Sequence, residues 1–327
     1  MRPTFRARLV NGPLFDPVLY VCIPNDRSAL LFDCGRIKGL SNREVLSIDH
    51  VFISHTHMDH FMGMDQVLKV ILHRQDPLFV YGPEGITEKV LSKLNAYTWN
   101  LTYDYGLEII IHEVGPYDIK ISKASASKCF DVTDQSIIPK TGHTIVSNPG
   151  YWVDAVILDH NIPCMCYALQ EPFHMNIRGD VLAEKGFIPG KWIDLMKGHI
   201  MTGSQTEYVD VETVDGFKRI RAGELCEALV IITEGQKIAY ITDIRYSQAN
   251  LERIEEIARG VDMLFIEAFY MDELRGQAGR KAHLTSCQAG MIARMLNAKR
   301  VFPMHISPRY HNMAHKIVAE IESCRKP

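Results

Sequence analysis

The stretch Val51-Phe52-Ile53-Ser54-His55-Thr56-His57-Met58-Asp59-His60 carries an H-x-H-x-D-H pattern. Val51-Phe52-Ile53 reads as a buried apolar strand, Asp49–Ser54, and Phe61–Leu72 reads as a helix starting directly after the histidine-rich loop. The four potential ligands therefore sit on a strand-to-helix turn. There His55 and His57 can converge on one cation, and Asp59 and His60, on the incoming helical turn, on a second. Neutral imidazole and carboxylate suit Zn²⁺ and similar borderline ions. The alternative, a solvated polar loop, does not call for three histidines and an aspartate at this spacing.

One such motif is too small for two metals, so further ligands must come from elsewhere. Three strand ends offer them. Asp159-His160 follows the apolar run Ala155–Leu158, Asp243 ends Ile238–Thr242, and His305 follows Val301–Met304. Ends of strands are where α/β sheets collect ligands. Outward from these points the chain shows a faint duplication. Val18–Pro24, a turn at Asn25-Asp26 and Ser28–Asp33 read as a hairpin. Ala228–Thr233, a turn at Glu234-Gly235 and Lys237–Asp243 read as a second one. Each is followed by a helix-like stretch and an apolar strand (Asp49–Ser54, Val261–Glu267). Two β-β-α-β halves predict an α/β, four-layer αββα sandwich. Helices are expected over Ser247–Arg259, capped by Ser247 and stopped by Gly260. Two more are expected: Thr285–Asn297, with Met291, Ile292, Met295 and Leu296 apolar, and Asn312–Glu322, with Ile317, Val318 and Ile321 on one face.

Composition narrows the class. Of 327 residues 46% are hydrophobic and 23% charged, which excludes a disordered chain. There is no run of 18 apolar residues, so no membrane span is expected. The N-terminus MRPTFRARLV lacks an apolar segment behind its positive charges, which predicts a cytoplasmic protein without a signal peptide. Eight cysteines with no C-x-x-C spacing read as free, buried thiols. A net charge of −3 does not announce a nucleic-acid binder. No linker-like tract splits the chain, so residues 1–327 are expected to form one domain, with Pro172–Gly223, richer in Gly and polar residues, as an inserted arm.

The histidine motif, with a later His, an Asp and a final His, resembles the metallo-β-lactamase superfamily. Asp33 in Leu31-Phe32-Asp33-Cys34-Gly35 matches its first motif. Within it the chain resembles the ribonuclease Z family, endonucleases that trim tRNA precursor 3′ ends. Tyr81-Gly82-Pro83-Glu84-Gly85-Ile86 is similar to that family's Y-G-P-x-G-[IL] segment. His160 with Tyr167 and Glu171 is similar to its H-x(6)-Y-x(3)-E stretch. Ile266-Glu267-Ala268 resembles H-E-A-T, Ala282-His283-Leu284-Thr285 resembles H-S-T, and His305-Ile306-Ser307-Pro308-Arg309-Tyr310 resembles H-x-S-x-R-Y. The likeness runs over about residues 31–310.

The resemblance implies a site. His55, His57 and His160 would hold one metal, Asp59, His60 and His305 the other, and Asp243 would bridge them. Asp33 would orient a ligand histidine. Two Zn²⁺ per chain are implied, with Mn²⁺ or Fe²⁺ as alternatives; His57 favours zinc, because diiron relatives place Glu there. Paired cations lower the pKa of a shared water to about 7 and neutralise charge on a phosphoryl group. Asp59 would orient or deprotonate the water. His283, with Glu267 raising its basicity, would stabilise the transition state or protonate the leaving oxygen. Ser307 and Arg309 could hold phosphate. A homodimer is implied as well.

Departures are local. Leu9-Val10-Asn11-Gly12-Pro13-Leu14-Phe15-Asp16-Pro17 stands where the family has L-G-T-G and an R-N pair. In the arm, Gly186-Phe187-Ile188-Pro189-Gly190-Lys191-Trp192 resembles the exosite motif G-x-x-P-G-P with Lys191 in place of the last Pro. From Pro172 to Ile200 the arm carries Arg178, Lys185, Lys191 and Lys197 against Asp180, Glu184 and Asp194, a net of +1 that makes a weak phosphate clamp. Trp192 could stack on a base or pack in the arm. Tyr97, Trp99, Tyr103 and Tyr105 could line a groove or pack in a core. Residues 114–150 have no family counterpart. The substrate is thus RNA, including tRNA 3′ ends, or a small phosphodiester. A lactone, thioester or β-lactam hydrolase and a non-enzymatic RNA-binding module are the alternatives.

Overall fold

The structure, a computed structural model, describes residues 5–23 and 28–326. The predicted turn at Asn25-Asp26 lies outside the described residues. Two compact units form. The larger contains residues 5–145, 153–169 and 237–326, and the smaller contains 146–152 and 170–236.

The larger unit is built on two sheets. The first holds eight strands in sequence order: β1 (Arg6–Leu9), β2 (Leu19–Ile23), β3 (Ser28–Phe32), β4 (Ile48–Phe52), β5 (Leu78–Pro83), β6 (Glu108–Val114), β7 (Asp118–Ser125) and β8 (Val132–Pro139). β2 and β3 pair antiparallel, as the hairpin pattern predicts. β3, β4, β5 and β6 run parallel. Their crossovers are the helices α1 (Asn42–Leu46), α2 (Met58–Phe61), α3 (Met64–Ile71) and α4 (Ile86–Asn95). The second sheet uses β9 (Thr144–Asn148), β10 (Tyr151–Asp159), β11 (Pro163–Gln170), β16 (Lys237–Ile241), β17 (Met263–Glu267) and β18 (Arg300–Met304), in the order 18-17-16-11-10-9. β16, β17 and β18 run parallel, linked by α8 (Gln248–Ala258), α9 (Arg275–Lys281) and α10 (Ser286–Met295). The helix α11 (Ala314–Arg325) closes the chain.

Strand alternation sorts these side chains into four layers. Val51, Ile53 and Val80 turn to one face and pack with Val67, Leu68, Ile71 and Val90 of the helices. Ile241, Leu264 and Ile266 do the same with Ile254, Ala289, Ile292 and Ile317 on the far side. Between the sheets lie large aromatics: Phe32 stacks on Phe52 at 4.9 Å, and Tyr167 and Tyr240 meet that pair at 5.3–5.9 Å. The αββα sandwich is therefore the observed fold.

Several sequence expectations are corrected in detail. The second hairpin does not form. Ala228 and Leu229 belong to a helix, and Val230–Glu234 (β15) pairs with Phe173–Ile177 (β12), while Lys237–Ile241 lies between β11 and β17. The cause is local. Gly235 is pressed onto the Glu171 backbone, where an added Cβ would come within 1.9 Å of its carbonyl oxygen, and Glu171 N–H donates to Gln236 O, so no tight turn reverses the chain there. Phe61–Leu72 is two helices rather than one. Gly63 donates to Cys34 O at 2.8 Å and sits so close to Gly35 O that a Cβ would meet it at 1.9 Å, which breaks the helix between α2 and α3. In α11 Ile317 and Ile321 are buried, but Val318, one residue off that i, i+4 pair, is exposed. Not all cysteines are free: Cys287 and Cys324 join α10 to α11. Cys34, Cys164 and Cys166 are free and buried.

The smaller unit pairs β12 with β15 and β13 (Tyr208–Thr213) with β14 (Gly216–Arg221), and adds α5 (Gly179–Glu184), α6 (Trp192–Met201) and α7 (Ala222–Leu229). Trp192 is part of its core, against Phe187, with the indole N–H donating to Ile188 O at 2.7 Å, so packing rather than base stacking occupies it. In the Tyr97–Tyr105 segment Trp99 packs on Phe130, while Tyr97 and Tyr103 are exposed. Residues 114–150 contain β7, β8 and β9. No helix among the described residues is long and apolar enough to cross a membrane.

Gly63→Ala is expected to destabilise the protein by about 2–4 kcal/mol, since a methyl group must displace backbone rather than a side chain. Thermal unfolding measures it; a Tm equal to wild type would refute the close-approach reading.

Candidate metal centre

Every proposed ligand stands at or just beyond the end of a strand. The H-x-H-x-D-H turn follows β4, His160 follows β10, Asp243 lies two residues past β16, and His305 follows β18. Asp33, just past β3, and Glu267, the last residue of β17, complete the rim. Three of these residues hold left-handed backbone: Asp33 at φ 55°, Asp243 at 45° and His305 at 51°. A non-glycine residue in that region is costly and persists only where its surroundings over-determine it.

The ligand atoms converge in two overlapping groups. His55, His57, His160 and Asp243 offer atoms all within 4.8 Å of one another, and so do Asp59, His60 and His305. Asp243 Oδ2 stands 3.6, 3.5 and 3.6 Å from the Nε2 atoms of His55, His60 and His160, while its Oδ1 is 2.7 Å from His305 Nδ1. Asp59 Oδ2 lies 3.1 Å from His305 Nε2 and 3.6 Å from His60 Nε2. Asp243 thus faces both groups.

The outward nitrogens are tied down by partners that set the inward ones. Asp33 takes hydrogen bonds, each 2.7 Å, from Ser54 N–H, the Ser54 hydroxyl, the Tyr240 hydroxyl and His60 Nδ1. His60 Nε2 is left buried with no hydrogen-bond partner, aimed at Asp59 and Asp243. His160 Nδ1 donates to Ala282 O at 2.8 Å, which turns Nε2 inward. A bare buried imidazole nitrogen among carboxylates, with its other nitrogen held, is the arrangement a borderline cation requires. The donor set therefore fits divalent metal.

Burial pushes the His55 pKa down to about 2, with the neighbouring His60 charge in the same direction, so His55 presents a neutral nitrogen. Burial opposes a charge on His305 as well, but Asp243 and Asp59 hold a proton on it, raising its pKa to about 10. His60 likewise stands well above the usual histidine value, because Asp243 and Asp33 outweigh burial. Asp59 is lowered: burial opposes this, but the His305 hydrogen bond and the His60 charge dominate.

Beside the two groups lies a dyad. His283 Nδ1 is 2.9 Å from Glu267 Oε2, and Glu267 Oε1 accepts from Ile244 N–H at 2.7 Å. Glu267 is fully buried with both its oxygens hydrogen-bonded, and Asp243, Glu267, His283 and His305 also offer atoms within 4.8 Å of one another. Phe269 stacks flat on His283 at 4.3 Å. Burial works against charge on His283, but Glu267 raises its pKa above the ordinary value. Ser307 is buried, its N–H on Phe269 O, whereas Arg309 is exposed with its guanidinium over the Tyr270 ring at 5.2 Å. Sequence reading missed Ser54, Tyr240, Phe269 and the Ala282 carbonyl. Only Ser54 had a signal, its place beside the motif.

These features define a metal-dependent hydrolase of the metallo-β-lactamase fold. Residues 201–306 match the family model described as a Beta-lactamase superfamily domain. Structures sharing the fold are the short form of human tRNase Z (TM-score 0.53, 16% identity, covering 94% of this chain and 93% of that one) and a metallo-beta-lactamase fold protein of Bacillus subtilis (0.55, 12%, 98% and 92%). The chain belongs to the ribonuclease Z family: it is 30% identical over 310 residues to Ribonuclease Z of Deinococcus radiodurans, covering 93% of this chain and 90% of that protein. Ribonuclease Z of Porphyromonas gingivalis is 29% identical, with 91% and 85% covered.

Because histidine binds metal only in its neutral form, divalent-metal binding by these residues is expected to weaken as pH falls. Titration calorimetry at a series of pH values measures this; an affinity that does not fall with pH would refute the assigned ligands.

Proposed function

We propose that the chain is a dinuclear zinc phosphodiesterase that cuts RNA, with tRNA 3′ ends as its substrate class. His55, His57 and His160 would hold one ion, Asp59, His60 and His305 the other, and Asp243 would reach both. Such ions would supply an acidified water and neutralise phosphoryl charge. Asp59, partly exposed at the mouth, would orient the attacking water and take its proton. His283, whose protonated form Glu267 favours, gives a proton to the leaving oxygen, and Phe269 fixes the plane of its ring. Ser307 and Arg309 bind phosphate once Arg309 leaves Tyr270. The Pro172–Gly223 arm also contacts RNA, and the protein acts as a homodimer.

The observation that carries this reading is the His283–Glu267 dyad. A thiolate leaves without a proton, so hydrolysis of a thioester does not call for an imidazolium held at a second position, whereas expulsion of an alkoxide does. The 30% identity to a Ribonuclease Z agrees with RNA as substrate.

His283→Ala is the test, on a precursor tRNA and on bis(p-nitrophenyl) phosphate. Loss of a general acid is expected to lower kcat on the RNA by about 10²–10⁴-fold. The nitrophenolate needs no proton to leave, so that substrate should lose less than about tenfold. Equal losses would refute the general-acid role, and wild-type cleavage of the small ester alone would refute tRNA as substrate.

A further inference from the structure

Two of the loops that carry ligands are joined by one buried amide that neither the motifs nor the metal assignment uses. Asn250 is the third residue of α8 and is 2% exposed. Its Oδ1 accepts the Asp159 N–H at 2.9 Å. Its Nδ2 donates to Asp159 O at 3.0 Å and to Arg245 O at 2.8 Å. Asp159 immediately precedes His160, and Arg245 lies two residues after Asp243. The same loops are also joined by Arg245 N–H on Asp159 O at 2.9 Å. A side-chain latch, Arg245 Nε on Asp159 Oδ2 at 3.0 Å, is solvent-exposed and adds little.

The amide is itself held. Ser247 caps α8, its hydroxyl accepting the Asn250 backbone N–H, but it is Ile254 and Ile257, anchored in the outer core, that hold the helix and with it the side-chain amide. The helix therefore fixes where both backbones must lie. Asp243 needs such a frame, because its left-handed φ of 45° is not a conformation the loop adopts unaided. His160 needs it because its ring is hydrogen-bonded on one side, Nδ1 on Ala282 O, and Nε2 faces Asp243.

We propose that Asn250 is a positioning residue that sets His160 against Asp243 and so fixes the spacing of the first metal group. This rests on the metal reading above. An aspartate keeps the acceptor for Asp159 N–H but loses both donors and places a carboxylate against two carbonyls. A serine keeps polarity but cannot span both loops.

The experiment measures Zn²⁺ affinity against a chromophoric chelator, and the visible spectrum of the Co²⁺-loaded protein, for wild type, Asn250→Asp, Asn250→Ser and Ser247→Ala. Both Asn250 variants should bind one Zn²⁺ about 10–100-fold more weakly and shift the Co²⁺ bands. Ser247→Ala, which removes only the helix cap, should lower Tm and leave both metal readouts unchanged. Asn250 variants that fold and match wild type in affinity and spectrum overturn the assignment. So does Ser247→Ala moving the readouts equally, or both Asn250 variants being unfolded, since either makes the residue structural. Wild type that takes up no metal overturns the metal reading itself, a separate outcome.

Discussion

The buried carboxylate of Asp33 is the interaction on which the site and the sandwich both depend. It has no exposure to water and accepts four hydrogen bonds from both sheets: Ser54 and His60 on one side, Tyr240 on the other. An ionised group in such a place costs several kcal/mol unless its lone pairs are filled. Here every donor that fills them is also part of the fold or of the metal centre. Tyr240 packs against Phe32 in the inter-sheet core, so the distance between the sheets and the orientation of His60 are set together.

From that point the architecture explains the rest. Parallel strands β3–β6 and β16–β18 deliver their carboxyl ends to one rim, and the crossovers keep the rim open. Left-handed residues at Asp33, Asp243 and His305 turn side chains inward as each strand stops. Gly35 and Gly63 let the H-x-H-x-D-H turn lie against the loop after β3: a Cβ on Gly35 would come within 2.4 Å of Asp59 O. The protein thus concentrates local strain where chemistry is performed and anchors it with the helices behind.

Much of this was legible. The H-x-H-x-D-H spacing, the candidate ligands at apolar strand ends and the cap at Ser247 are local signals; the candidates do lie at strand ends, and Ser247 does cap α8. The errors share a cause as well. Ala228–Thr233 and Lys237–Asp243 look like a hairpin because pattern records propensity and not partner; β15 pairs instead with a strand some fifty residues earlier in the chain. Cys287 and Cys324 carry no spacing signal, because helix packing alone brings them together. Tyr240 and Asn250 read as an ordinary strand residue and an ordinary helix residue.

The sequence by itself determined which residues could bind metal and in what order they arrive, because imidazole and carboxylate chemistry and strand-to-helix turns are local properties. Only the tertiary structure decided which nitrogen of each histidine turns inward, which carboxylate holds His60, and what fixes His160 against Asp243. Those are choices among partners as much as 246 residues apart. They are made by the register and packing of the two sheets, which no local pattern encodes.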